Sequence, residues 1–298
     1  MPEHTLPAKA LAYSMGADYL EQDIVATRDD ELLVLHDIHL DRICDVADVF
    51  PGRQRDDGRF YARDFSLDEI KRLTVHERTA ADGSPVYAGR FAPADTTFRI
   101  QTFAEELEFI ATLQQNMGRP IGIYPEIKRP AWHREQGVDI TQRVLEVLSK
   151  FGYESHADLA YLQCFDAHEL QRIRREYQSS LKLIQLIGEN AWGESNTNYD
   201  ALRTARGLQR IAKSVDGIGP WVNRLYRVTA DGSVRDSGLV KRAHAAGLAV
   251  HPFTFRKDDL PPGFSDFDAL LSYAIETLCI DGLFTDFPDI VARKCHVH

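Results

Sequence analysis

Eight short apolar runs, separated by stretches of helical periodicity, constrain this chain more than any other feature. They lie at 17–24, 31–36, 121–127, 159–165, 181–187, 216–220, 248–255 and 282–287. Several are apolar almost throughout, which is how a strand reads when both faces are buried in a parallel sheet covered by helices. The stretches between them carry helix signals. Thr102 with Glu105 forms a capping box ahead of the stripe Phe103, Leu107, Ile110 and Leu113. Asp166 with Glu169 caps a second helix, with an inner face of Leu170, Ile173 and Tyr177. Gly152 and Gly247 stand where two further helices stop. Alternating strands and helices predict an α/β fold.

Two of the runs have no helix between them. Only residues 25–31, with Asp29-Asp30, separate Ile24 from Leu32, too few for a parallel crossover. The run 31–36 is therefore a hairpin partner of 17–24, and setting it aside leaves seven barrel-type strands. A length of 298 residues suits one eight-stranded α/β barrel. One strand is missing from the count, and the room for it lies before Met1. An open barrel has an unpaired edge beside 17–24, a surface for self-association. Residues 38–100 differ in character: they are rich in Arg and Asp and show little periodicity beyond a short helix capped by Ser66 and Glu69. The expected organisation is a barrel made of 1–37 and 101–298, with 38–100 as an irregular insertion packed over one end of the sheet.

Charge and motifs exclude several functions. With 35 basic and 45 acidic residues the net charge is −10, which lacks the basic footprint of a nucleic-acid or anionic-membrane binder. No apolar stretch approaches a membrane span. Cys44, Cys164, Cys279 and Cys295 show neither disulfide-scaffold nor zinc spacing. Residues 1–5 have no basic or apolar leader pattern. P-loop, G-x-G-x-x-G, G-x-S-x-G, H-E-x-x-H and EF-hand patterns are absent.

The residues with chemical potential gather at strand ends. Glu21 and Asp23 are spaced i, i+2, so a strand points both carboxylates to one face. Glu126 and Lys128 repeat that spacing at the end of IGIYPEIK. In a barrel such positions converge. Three converging carboxylates repel one another, and a divalent cation resolves the repulsion; all-oxygen ligands suit Mg²⁺ or Ca²⁺ rather than zinc. Surface salt bridges at the strand ends are the competing reading, and spacing alone does not separate the two. His36 ends the hairpin strand and faces the same end, either as a proton-transfer group or as a structural histidine bonded to Asp37. Lys128 either neutralises a developing oxyanion or snorkels into solvent. Gln163 and Phe165 share a face at the end of LAYLQCF, where the amide either orients a substrate oxygen or satisfies the core. Trp192, Trp221, His251 and Phe284 are pocket-wall or packing residues.

Together these segments resemble the glycerophosphodiester phosphodiesterases, specifically their bacterial periplasmic, calcium-using branch. The resemblance is carried by Pro2-Glu3-His4-Thr5 with LPAKALAYSMGADYLEQDIVATRDDELLVLHD after it, then IGIYPEIK, YLQCFDAHEL, DGIGP, VHPFTFR and GLFTDFPD, in the family's order over nearly the whole chain. It implies a TIM-type (β/α)8 barrel with a small insertion. It also implies that Glu21, Asp23 and Glu126 are metal ligands for a divalent cation, Ca²⁺ ahead of Mg²⁺. His36 then matches one of two catalytic histidines, Lys128 a lysine near the phosphate, and Glu3 an acid bordering the metal site in contact with substrate. The implied partner is a small glycerophosphodiester, hydrolysed to glycerol 3-phosphate and an alcohol, and the implied location is the periplasm. One departure stands out. The family's first strand ends in His-Arg-Gly just before the Pro-Glu-x-Thr segment, whereas here Met1 precedes Pro2, and none of His4, His39 or His76 lies in a matching context. Either the start is an internal methionine codon or the copy is shortened, and on both accounts residues 1–298 are expected to be impaired. A non-catalytic calcium and phosphodiester-binding protein, and a barrel glycosidase using Glu21 and Glu126, are the rival readings.

Overall fold

The computed structural model describes residues 1–90 and 97–295. They fall into two compact units, the first ending at Ala160 and the second beginning at Tyr161.

In the first unit, helix α1 (Leu6–Ser14) begins at Thr5, whose hydroxyl accepts the Ala8 N–H, with Pro7 in its first turn. Strand β1 (Tyr19–Ala26) follows and turns back as β2 (Leu32–Val34), antiparallel through the pairs Ile24↔Val34 and Ala26↔Leu32. This is the hairpin that the short connection requires. Short helices α2 (Val46–Val49) and α3 (Leu67–Ile70) come next, the second held by the Ser66/Glu69 capping box. Helix α4 (Phe103–Met117) starts in the Thr102/Glu105 box and stops at Gly118, whose φ of 70° closes the last turn. Strand β3 (Gly122–Ile127) runs parallel to β1 and sets Glu126 directly opposite Asp23. Helices α5 (Pro130–Glu135) and α6 (Ile140–Lys150) complete the unit.

Residues 38–90 carry little regular secondary structure, but their apolar side chains join a buried core shared with the hairpin. Leu40, Val46, Phe60, Phe65, Ile70 and Leu73 pack in one buried cluster with Val25, Leu33 and Leu35 of the hairpin. Each such side chain contributes up to about 1.5–3 kcal/mol on leaving water. Positions 91–96, which the insertion includes, lie outside the described residues.

His133, fully buried in α5, ties this unit together. Its Nδ1–H donates to the Arg129 carbonyl at 3.1 Å, and its Nε2 accepts the Ala26 N–H at the end of β1 at 3.2 Å. Burial pushes its pKa down to about 4 against the pull of the Arg129 and Lys128 backbone carbonyls. The neutral ring is thus favoured by folding. Its contribution is complete above about pH 6.5 and is lost as pH falls from there toward 4, on the order of 3 kcal/mol in all. Urea unfolding at pH 7 and pH 4.5 is expected to show a smaller acid-induced loss for His133→Gln than for the parent chain. Equal losses would remove His133 as the cause.

In the second unit, β4 (Tyr161–Cys164), β5 (Lys182–Ile187), β6 (Gly217–Pro220) and β9 (Ala249–Val250) form a parallel sheet in that order. Between them lie α7 (Ala167–Arg175), α8 (Tyr199–Leu202), α9 (Ala205–Ile211), the hairpin β7 (Tyr226–Val228) and β8 (Val234–Asp236), and α10 (Leu239–Ala245). Helices α11 (Phe267–Ser272) and α12 (Pro288–Cys295) follow β9. Gly217 lets the strands close up, since a Cβ there would lie 2.7 Å from Ile184 and 2.8 Å from the Ala249 carbonyl. Asp166 caps α7 as its sequence predicts, accepting from the His168 and Glu169 N–H groups.

Two strand expectations shrink. The run 248–255 is regular strand only at Ala249–Val250, because Pro252 supplies no ladder N–H, and it continues as a single parallel bridge from Phe253 to Trp221. The run 282–287 is not a strand. It touches its neighbour through one bridge, Thr285 to Phe255, and through the Phe284 N–H on the Pro252 carbonyl. No helix among the described residues is long and apolar enough to cross a membrane.

Candidate active site

β1 alternates its side chains, so Glu21 and Asp23 share one face while Gln22 points to the other and donates to Glu106 of α4 at 3.0 Å. The parallel register with β3 adds Glu126 to the Glu21/Asp23 face. Carboxylate oxygens of Glu21, Asp23 and Glu126 lie within 4.8 Å of one another. Asp23 and Glu126 are only 2% and 5% exposed, so these are not surface salt bridges. Lys128 is buried too, with its ammonium 3.0 Å from Glu126 Oε1 and 3.9 Å from Asp23 Oδ1, which removes the solvated-lysine reading.

One lysine among three carboxylates leaves an excess of negative charge, and the electrostatics show it. Burial raises Glu126 well above the usual carboxylate range, with Asp23 pushing the same way, and Lys128 does not reverse it. Burial also acts to raise Asp23, but Lys128, His4 and His36 override it and hold that carboxyl well below its ordinary value. Asp23 Oδ1 is buried without a hydrogen-bond partner. A hard cation ligated by oxygen fits this cluster, because it supplies the missing positive charge and a partner for that atom.

His36 follows β2. The neighbouring Leu35 N–H binds the Asp23 carbonyl at 2.7 Å, which fixes the backbone that carries the ring beside the cluster. The ring is open to solvent. Surrounding protein, then Lys128 and Arg78, lower its pKa, while Asp23 and Glu3 oppose them; the ring's exposure tempers the shift. Asp37 does not bond to His36 as one reading of the sequence had it. It accepts from His39 Nδ1 at 3.0 Å instead. Glu3 and His4 line the same small cavity as His36. Glu3 pairs with Arg78 at 2.5 Å; burial would raise its pKa, but Arg78, His36 and His4 bring it below the ordinary value.

Three residues at this site have no signal in the sequence. Arg78 arrives from the insertion. His4 Nε2 donates to Asp23 Oδ2 at 2.8 Å, although its sequence context does not match a catalytic histidine. Lys9, on the inner face of α1, reaches the Glu21 carbonyl on the edge of β1 that was expected to be open. A lysine in a short helix reads as a solvated one, so pattern alone does not find it.

In the second unit Gln163 is fully buried in β4, and Phe165, just beyond, packs edge-on against Trp192, Tyr199 and Phe253 with centroids 6.5, 6.0 and 5.8 Å away. Trp192 also meets Trp221 at 5.2 Å. His251 packs edge-on against Tyr161, and burial pushes its pKa down to about 4.

Comparison with known proteins identifies this architecture. The model of the glycerophosphoryl diester phosphodiesterase family matches residues 1–290. A glycerophosphodiester phosphodiesterase of Haemophilus influenzae is 42% identical over 97% of this chain and 85% of its own length. One of Treponema pallidum is 40% identical over 97% of this chain and 87% of its own. Among solved structures, a glycerophosphoryl diester phosphodiesterase homologue from Silicibacter pomeroyi superposes with a TM-score of 0.72 at 22% identity, over 99% of this chain and 90% of that one. An Oleispira antarctica phosphodiesterase, solved with the product sn-glycerol-3-phosphate, gives a TM-score of 0.63 at 18% identity, over 99% and 92%.

Fold and matches together define a phosphoric diester hydrolase on a mostly parallel α/β scaffold of the TIM-barrel type. Within that class, the chain belongs to the glycerophosphodiester phosphodiesterase family.

Proposed function

We propose that this chain hydrolyses glycerophosphodiesters to glycerol 3-phosphate and an alcohol, using a divalent cation held by Glu21, Asp23 and Glu126. The observation that carries the metal requirement is the buried carboxylate cluster with an unsatisfied Asp23 oxygen. Calcium is the preferred ion, since an all-oxygen set with one partly exposed carboxylate is adaptable rather than octahedrally strict. When bound, the cation neutralises charge on the phosphate oxygens.

The chain's own groups do the rest. His36 holds or moves a proton at a reacting oxygen, a role that its solvent-open ring permits. Lys128 offsets part of the cluster's repulsion and offers an ammonium to the developing oxyanion. Glu3 contacts substrate and orients Arg78, whose guanidinium adds a second cation on the phosphate side. Gln163 and Phe165 keep a role in substrate contact on the strength of their sequence motif. Resemblance to a periplasmic branch supports placing the protein in the periplasm, which fractionation of cells expressing the full gene checks.

The assay is release of glycerol 3-phosphate from glycerophosphocholine with Ca²⁺, with and without chelator. Chelation is expected to abolish release, and added Ca²⁺ to restore it more fully than Mg²⁺. Binding of the diester without release, with Ca²⁺ present, would favour the binding-protein reading instead. Cleavage of an aryl glycoside instead would revive the glycosidase reading.

A further inference from the structure

A buried polar chain runs beside the carboxylate cluster, and the chemistry proposed above does not use it. Lys9 is 6% exposed on α1. Its ammonium has three N–H donors. Three acceptors surround it: Glu106 Oε1 at 3.1 Å, the Glu21 carbonyl, and His4 Nδ1 at 3.4 Å. An ammonium has no lone pair, so His4 Nδ1 is the acceptor of that contact. The neutral imidazole then carries its proton on Nε2, and Nε2 donates to Asp23 Oδ2 at 2.8 Å. The other oxygen, Asp23 Oδ1, is buried without a hydrogen bond, 3.9 Å from the Lys128 ammonium, and Asp23 shares the carboxylate cluster with Glu21 and Glu126.

We propose that Lys9 and His4 form a positioning relay. Lys9 fixes the His4 tautomer, His4 holds one oxygen of Asp23, and the second oxygen is thereby presented to a divalent cation. The proposal rests on the metal reading given above and adds the residues that orient its ligands. The usual order at metal sites, an imidazole ligand with a carboxylate behind it, is here reversed.

Two features of the backbone and core support the relay. His4 has a φ of 56°, a left-handed conformation uncommon for histidine. The turn that imposes it is closed by the Thr5 hydroxyl on the Pro2 carbonyl at 2.8 Å, where α1 begins. At the far end, Glu106 is fully buried and is anchored by Gln22, which sits between Glu21 and Asp23 but on the opposite face of β1. The relay therefore wraps around the strand, holding Glu21 by its backbone and Asp23 by its side chain.

The test is Ca²⁺ titration by calorimetry on the full chain, together with nitrogen-15 NMR of the histidine rings without metal. The parent chain is expected to show His4 as the Nε2–H tautomer. His4→Ala should weaken Ca²⁺ binding about 10–100-fold, the usual cost of losing an outer partner of a ligand. His4→Gln, which keeps an N–H donor, should recover most of that loss. Lys9→Met combined with Glu106→Gln leaves no unpaired buried charge and should release the tautomer preference while weakening Ca²⁺ binding. Unchanged Ca²⁺ affinity in His4→Ala, or an Nδ1–H tautomer in the parent chain, would overturn the relay and leave the metal reading standing. Absence of Ca²⁺ binding in the parent chain would overturn the metal reading first, and the relay with it.

Discussion

Replacing Glu126 by Gln is expected to abolish measurable hydrolysis in the most active form of the chain, a loss of about 10³-fold or more, while making the metal-free protein more stable. Both effects come from one geometry. Glu126 lies opposite Asp23 in the parallel register, is nearly sealed from water, and shares a 4.8 Å cluster with Glu21. Removing its charge takes away a ligand and thins the negative field that would attract a cation, and single electrostatic elements of active sites are commonly worth 10²–10³-fold. Without a cation, however, that field opposes folding, since like charges are held together out of water. Gln keeps an oxygen for Lys128, now 3.0 Å from Glu126 Oε1, so the lysine is not stranded. The measurements are kcat/KM, Ca²⁺ affinity by calorimetry, and Tm with excess chelator. A Glu126→Gln protein that is inactive and also less stable without metal would show that the cluster is a structural ion-pair network rather than a site kept at a cost in stability.

That opposition between function and stability explains which parts of the site the sequence disclosed. Glu21, Asp23 and Glu126 were legible because a period of two at a strand end leaves few places for the side chains to go. The parallel pairing of β1 with β3 then brought them together as expected. The caps at Thr102, Ser66 and Asp166 were legible for a similar reason, as each is a local exchange of hydrogen bonds within four residues. Lys9, His4 and Arg78 were not. Lys9 is an ordinary helix lysine until its ammonium reaches the Glu21 carbonyl of β1, and His4 is an unmatched histidine until the turn at Thr5 sets its ring on Asp23. Arg78 meets Glu3 across 75 residues of chain, inside a segment with little periodicity. The hairpin β7–β8 escaped because its exposed, charged residues mask alternation, although Asp231-Gly232 between the two strands is a turn signal. The run 282–287 erred the other way: it is apolar like a strand, but Pro252 beside it denies the ladder a donor and the pairing reduces to a single bridge.

Replacing His36 by Gln should separate the proton-transfer role from the metal site. The expected result is a fall in kcat of about 10²–10⁴-fold with Ca²⁺ affinity and Tm close to those of the parent chain. The structure supplies the reason for each part. The ring is solvent-open, so its loss leaves no cavity in the core. The backbone that carries it is held independently, through the Leu35 N–H on the Asp23 carbonyl and the Val34 N–H on the Gln101 carbonyl at 3.0 Å, so the strand end stays in place. Asp23 takes its side-chain hydrogen bond from His4 rather than from His36, so the ligand keeps its orientation. The two histidines near Asp23 are therefore expected to fail in different ways: loss of His4 weakens cation binding, and loss of His36 slows turnover at saturating cation. A His36→Gln protein whose activity returns fully at high Ca²⁺ would reassign His36 to the metal site and leave the proton transfer without a donor among the residues named here.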